Sequence, residues 1–186
     1  MGKTLILAAL KSEFFIPSSK NQIIHFSGIG KINASRLVTH LILEERPDLI
    51  LNVGTAGCLV PSFLGGVYGI KEVIERDMMT EPLAPRGTVP LSDQPSAFTS
   101  DFGTARCATG DSFITSKDSW LIESGVDLVD MELFAIAKIA KHYGVQWRAI
   151  KFASDLADEN AASHWNGSLQ HANEKILEML DLALQI

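Results

Sequence analysis

Cysteine is scarce in this 186-residue chain: only Cys58 and Cys107 occur, far apart and without His neighbours. Two such thiols make neither a disulfide framework nor a zinc site, and they read as small buried side chains in a reducing compartment. Runs of Lys or Arg are absent. Sixteen basic side chains against twenty-two acidic ones leave a net charge of −6, which lacks the footprint of a nucleic-acid binder. Long apolar runs are missing as well. The stretch Thr4–Leu10 is at the lower limit for a signal-peptide core and leads directly into Lys11 and Glu13 without a small-residue cleavage site. It therefore reads as a buried first strand. No other stretch approaches the ~20 apolar residues of a membrane span, so neither a membrane nor a nucleic acid is an expected partner. There is no internal repeat. What is present is 46% apolar and 20% charged residues, which excludes a disordered chain and a fibre. The length fits one domain over residues 1–186, with a cytoplasmic location expected.

Strand and helix patterns alternate. Residues 3–10 and Asn21–Ser27 read as strands, and Gly28-Ile29-Gly30 breaks the second. Lys31–Glu45 carries Ile32, Leu37, Val38, Leu41 and Ile42 in a helical rhythm, and Pro47 stops it. Asp48–Val53 reads as a strand ending in a Gly54-Thr55-Ala56-Gly57 turn, and Val67–Ile74 as another strand. Residues 77–103, punctuated by four prolines, read as a long irregular excursion. Further strands are expected at Ala105–Thr109, Leu128-Val129 and Trp147–Ala153. Helices are expected at Lys117–Ser124, from Asp130 onward, and at Leu169–Leu184. This alternation implies an α/β fold, a three-layer α/β/α sandwich on a central mixed sheet with helices on both faces.

In such folds ligands sit at the carboxyl ends of strands. Polar groups follow several strands: Glu13, Thr55, Asp111, Asp130 with Glu132, and Ser154 with Asp155. Singly, each has an ordinary explanation. Glu13 is a solvated loop charge, Asp130 a helix cap, Glu132 a first-turn charge favoured by the helix dipole, and Asp155 a turn cap. Together they make a rim rich in carboxylates. No His has metal-ligand spacing to them, and acid–base chemistry on a neutral or cationic substrate is the alternative to metal binding.

Five strings occur in order: Ser27-Gly28-Ile29-Gly30-Lys31, Asn52-Val53-Gly54-Thr55-Ala56-Gly57, Thr109-Gly110-Asp111-Ser112-Phe113-Ile114, Val129-Asp130-Met131-Glu132 and Ala153-Ser154-Asp155-Leu156-Ala157-Asp158. Over nearly the whole chain this set resembles the nucleoside phosphorylase/nucleosidase superfamily, and within it the bacterial 5′-methylthioadenosine/S-adenosylhomocysteine nucleosidases. The resemblance implies Glu13 as the water-activating base, Asp155 beside Ser154 as the acid that protonates the purine, and Asp130, Met131 and Glu132 around the ribose. It implies Thr55, Ala56 and Gly57 next to the sugar, Phe113 stacked on the base with Ile114 backbone at its edge, and Trp165 in the base pocket. The substrate it implies is a small-molecule purine nucleoside, and the assembly a homodimer.

The residue types suit that chemistry. Cleaving an N-glycosidic bond builds positive charge on the ribose and negative charge on the purine. The base needs a proton, so Asp155 is expected to hold one, with burial favouring it. Glu132 is expected to stay ionised at a helix N-terminus, and Glu13 deprotonates water. No metal and no organic cofactor is called for. The phosphorylase branch holds phosphate with arginines and a Gly-rich loop after the first strand. Here that loop reads Leu10-Lys11-Ser12-Glu13-Phe14-Phe15, which favours water over phosphate. The chain departs from the family in a shortened stretch between Glu13 and Gly28, in Asp130 where a Glu is usual, and in Cys58 where a second glycine is usual. The resemblance leaves the 5′ substituent and a 6-amino or 6-oxo base open. A phosphorylase, a futalosine-type hydrolase and a non-catalytic nucleoside binder are the alternatives.

Overall fold

A computed structural model describes residues 2–16 and 23–184. The elements run β1 (Thr4–Ala8), β2 (Ile24–Phe26), α1 (Lys31–Glu45), β3 (Leu49–Cys58), a 3-10 turn (Pro61–Phe63), β4 (Val67–Glu75), β5 (Ala97–Thr99), β6 (Ala105–Thr109), α2 (Ser119–Glu123), β7 (Leu128–Asp130), α3 (Leu133–Tyr143), β8 (Gln146–Asp155) and α4 (Ala161–Ala183). Asn21 and Gln22, expected in the second strand, lie outside the described residues.

The described strands form one mixed sheet in the order β2-β1-β3-β7-β6-β4-β5, with β8 pairing both β3 and β4. The path β3-β7-β6-β4-β8 therefore returns to β3 and closes a ring. The β3–β8, β4–β6 and β6–β7 pairs are parallel, whereas β3–β7 and β4–β8 are antiparallel. One hydrophobic cluster joins the sheet to α1 and α3 through Val38, Leu41, Leu133 and Ile136. A second joins it to α4 through Ala172, Ile176 and Leu180. Helices thus cover both faces, and the three layers expected from the alternation of patterns are present.

Helix α1 has the bounds its rhythm predicts. Arg46 ends it in the left-handed conformation (φ 47°), with its N–H on Ile42 O, and Pro47 follows. Ile32 is nevertheless exposed and Ala34 takes its place in the core. Three other boundaries differ from the sequence reading. Gly54–Gly57 is not a turn but the continuation of β3, paired with β8 throughout and shifted in register between Ala56 and Gly57. Small residues in a central strand gave the turn signal; they are small because other chain segments crowd them. A Cβ on Gly57 would lie 2.9 Å from Asp155 Oδ1 and 3.1 Å from Val129 Cγ2. Helix α3 starts at Leu133 rather than Asp130, because Asp130 still pairs with Thr109 across β7 and β6. Helix α4 begins eight residues before the expected Leu169. Its first turns expose Ser163, Asn166 and Gly167 and carry no apolar stripe to read. The irregular 77–103 stretch also contains β5, which pairs antiparallel with β4.

Candidate active site

The curl of the ring brings the ends of β1, β4, β7 and β8 and the C-terminal half of β3 around one cavity of about 180 Å³, with the segment after β6 and helix α4 completing the wall. All twelve residues that the sequence assigns to a site line it: Glu13, Thr55, Ala56, Gly57, Phe113, Ile114, Asp130, Met131, Glu132, Ser154, Asp155 and Trp165. Parallel alignment gathers them within two sets of strands, β1-β3-β8 and β4-β6-β7, and the short antiparallel β3–β7 pairing brings the two sets together; Thr55 lies inside its strand rather than after it. Asp111 is the exception among the strand-end carboxylates. It is not in the wall; its Oδ1 accepts from Lys31 N–H at 2.7 Å, at the start of α1.

The start of α3 explains how Glu132 becomes available. Asp130 Oδ2 accepts from Leu133 N–H at 2.9 Å, and Thr109 Oγ1 accepts from Phe134 N–H at 2.9 Å. These two side chains meet orphan donors of the first helical turn. Glu132, the residue preceding the helix, makes no cap of its own. Its Oε1 instead accepts from Gly30 N–H at 2.8 Å, which ties the Gly28-Ile29-Gly30 turn to the cavity.

Beneath Glu132 lies a buried ion pair, Lys151 Nζ to Asp130 Oδ2 at 2.7 Å. Burial alone would raise the Asp130 carboxyl, but Lys151 and the hydrogen bond from Thr109 hold it below the ordinary range. Burial alone would lower Lys151; Asp130 and Glu132 together hold it up. So Asp130 lines the cavity with both oxygens already engaged. Glu132 behaves otherwise than its helix position predicts. Burial first, then the Asp130 charge, push its carboxyl up to about 7, against the pull of Lys151 and the Gly30 N–H. Burial thus favours the protonated form of Glu132, where its helix position alone would favour the ionised one.

That shift has a sign that can be checked. A raised folded-state value makes the stabilising share of Glu132 complete below its unfolded value of about 4.5 and lost as pH climbs through about 7. Glu132→Gln keeps an acceptor for Gly30. The variant should gain on the wild type between about pH 5 and pH 8, by on the order of 1–3 kcal/mol in urea unfolding. A difference that stays flat across that interval would contradict the burial of an ionisable group there.

Asp155 Oδ1 accepts from Ala157 N–H at 2.9 Å, and its Oδ2 lies 2.7 Å from Ser154 Oγ, which is also 3.2 Å from Ala56 O. Glu13 Oε1 accepts from Thr55 Oγ1 at 2.6 Å and its Oε2 from Leu10 N–H at 3.1 Å. Trp165 Nε1 donates to Thr55 Oγ1 at 2.9 Å. Phe113 is 46% exposed at the mouth, free to meet a planar ligand.

Sequence reasoning missed Arg76. It is buried at the cavity wall and donates through Nη1 to Ser112 Oγ at 2.8 Å and through Nη2 to Gly110 O at 2.8 Å and to Ser112 O. Its guanidinium thereby holds the segment that presents Phe113 and Ile114. Burial lowers its pKa, with Asp77 and Asp130 opposing. The signal was available, since Arg76 directly follows β4 as the other polar groups follow their strands. Among the described residues no group of three or more His, Cys, Asp or Glu is arranged to hold a metal ion, and no helix is long and apolar enough to cross a membrane. Both cysteines are buried, and burial pushes the Cys58 thiol up to about 11.

A mixed sheet between two helical layers, with a cavity walled by carboxylates and one aromatic at its mouth, describes a site for a small polar molecule. The family model of the phosphorylase superfamily matches residues 13–185, and the chain belongs to that superfamily. Among curated relatives, the 5′-methylthioadenosine/S-adenosylhomocysteine nucleosidase of Buchnera aphidicola subsp. Schizaphis graminum is 30% identical over 183 residues, covering 86% of this chain and 77% of the relative. The same nucleosidase from Helicobacter pylori, solved with butyl-thio-DADMe-Immucillin-A, superimposes with a TM-score of 0.83 at 22% identity, over 98% of this chain and 99% of that one. A futalosine hydrolase mutant from H. pylori gives 0.83 at 20% identity, over 98% and 100%. At those identities the two superpositions establish the fold.

Proposed function

We propose that this protein is an N-ribohydrolase that uses water to cleave the glycosidic bond of a 5′-modified purine nucleoside of the methylthioadenosine/S-adenosylhomocysteine type. The observation that carries the reading is the convergence of Glu13, Glu132 and Asp155, from three distant parts of the chain, on one cavity. Glu13 takes a proton from a water molecule as its oxygen attacks C1′. The bond from C1′ to N9 breaks, its electron pair goes to the purine, and Asp155 supplies a proton to N7. Glu132 lies against the ribose, where the developing positive charge favours its ionised form and the carboxylate in turn stabilises that charge. Acid, base and stabiliser divide the work as in glycoside hydrolysis, with nitrogen as the leaving atom. Phe113 stacks on the base, Ile114 meets its edge, and Met131 with Thr55 to Gly57 borders the sugar.

Hydrolysis is favoured over phosphorolysis by charge. The segment after β1 brings a carboxylate to the cavity, which repels phosphate. Arg76, the one arginine in the wall among the described residues, has both Nη atoms donating to the Gly110–Ser112 backbone and the Ser112 hydroxyl. The purified protein should therefore release adenine from methylthioadenosine in phosphate-free buffer, at a rate that added phosphate leaves unchanged. Strict dependence on phosphate would make it a phosphorylase. Binding without base release, across 6-amino and 6-oxo nucleosides, would make it a non-catalytic relative.

The location that two buried thiols suit is the cytoplasm. A homodimer is the assembly that best explains Met79, Leu83 and Leu91, each more than 60% exposed in the irregular stretch. Light scattering should return twice the chain mass; a monomer at micromolar concentration would refute that assembly.

A further inference from the structure

The sequence places Trp165 in the wall of the base pocket, a role any large ring could fill. The geometry adds something that a hydrocarbon ring cannot supply. Trp165 Nε1–H donates to Thr55 Oγ1 at 2.9 Å, and Thr55 Oγ1 lies 2.6 Å from Glu13 Oε1. An indole N–H can only donate, and a threonine hydroxyl has one proton and two lone pairs. With one lone pair taken by Trp165, the hydroxyl proton is directed to the carboxylate, and the chain of bonds has a single polarity, from Trp165 through Thr55 to Glu13. Each bond polarises the next. The other carboxylate oxygen is held by Leu10 N–H at 3.1 Å. Two anchors on two oxygens fix the plane of the Glu13 carboxylate and leave its remaining lone pairs for the cavity.

We propose that Trp165 is a positioning residue for the base: acting through Thr55, it orients the Glu13 carboxylate toward the attacking water. The inference rests on the reading of Glu13 as the base. It also gives α4 a part in the chemistry, because Trp165 is carried on that helix while Thr55 lies on β3 and Glu13 follows β1. A phenyl ring at 165 would preserve the apolar wall and remove the donor. The Thr55 hydroxyl would then be free to rotate, and the carboxylate would lose part of its orientation.

The test is a double-mutant cycle read in steady-state base release, with folding of every variant checked by thermal unfolding. Trp165→Phe should lower kcat roughly 5–10-fold, the worth of about one hydrogen bond, with KM within about twofold. Thr55→Val should lower kcat at least as much, and Thr55→Ser should recover part of that loss. In the Thr55→Val background, Trp165→Phe should cost little more, since the intermediary is already gone. Additive losses in the double variant, an effect confined to KM, or a Trp165→Phe enzyme with wild-type kcat would overturn the relay. Glu13→Gln separates the two readings. If it is inactive while the cycle is additive, the relay alone falls. If it turns over like the wild type, the assignment of the base falls and the relay with it.

Discussion

Asp155→Asn should lower adenine release by roughly 10²–10⁴-fold at neutral pH while leaving the fold intact. The amide has the shape of the carboxyl it replaces. Its oxygen can still accept from Ala157 N–H, and its nitrogen can donate to Ser154 Oγ, so the neighbours at 2.9 and 2.7 Å keep their partners. What disappears is the proton that can be handed to the purine as C1′–N9 opens. The loss should therefore appear in kcat, with KM changed little, and the unfolding midpoint should move by no more than a degree or two. Substrates whose leaving group needs no proton, such as a nitrophenyl riboside, should lose far less. A variant that turns over methylthioadenosine like the wild type would remove Asp155 from the chemistry.

The largest effect on stability is expected at Lys151, which takes no direct part in that chemistry. Lys151 is 1% exposed, and its ammonium is joined to Asp130, itself buried. Lys151→Met replaces the stem by an apolar side chain of similar length and leaves the Asp130 carboxylate buried without its cation. Removing one member of such a pair costs about 3–5 kcal/mol, which for a domain of this size lowers the midpoint by roughly 10 °C. Adding Asp130→Asn removes the stranded charge while keeping an acceptor for Leu133 N–H, so the double variant should recover much of the loss. Equal destabilisation of single and double variants in urea unfolding would show that the pair is not what Lys151 contributes. The linkage has a definite sign too. The Asp130 carboxyl is held low, so its share of stability is complete above its ordinary range and disappears only as pH falls through the depressed value.

Much of this was legible in the sequence because the relevant signals are local. Helix α1 shows its apolar spacing between two breakers, Gly30 and Pro47, and β6 is a segment of strand length closed by Gly110. Elements whose reasons are non-local were misread. Gly54–Gly57 is a strand because β8 and Asp155 press against it, and nothing within four residues records that pressure. β5 exists only because β4 offers it an edge. The candidate site divides in the same way. Met131 and Phe113 stand in motif strings and Glu13 just after the first strand, where sequence can point to them, whereas the state of Glu132 is not readable there. Its helix position favours an ionised group; its burial over Asp130, which the tertiary structure alone creates, outweighs that preference. Trp165 was assigned to the wall by its place beyond Ser154-Asp155, but its bond to Thr55 spans 110 positions of sequence.

The most direct measurement is a crystal structure of the Glu13→Gln variant soaked with methylthioadenosine. The expected complex has purine N7 within hydrogen-bond reach of Asp155, a ribose hydroxyl on Glu132, and a water molecule between residue 13 and C1′. A nucleoside seated in the cavity with N7 turned away from Asp155 and the sugar out of reach of Glu132 would contradict the proposed chemistry.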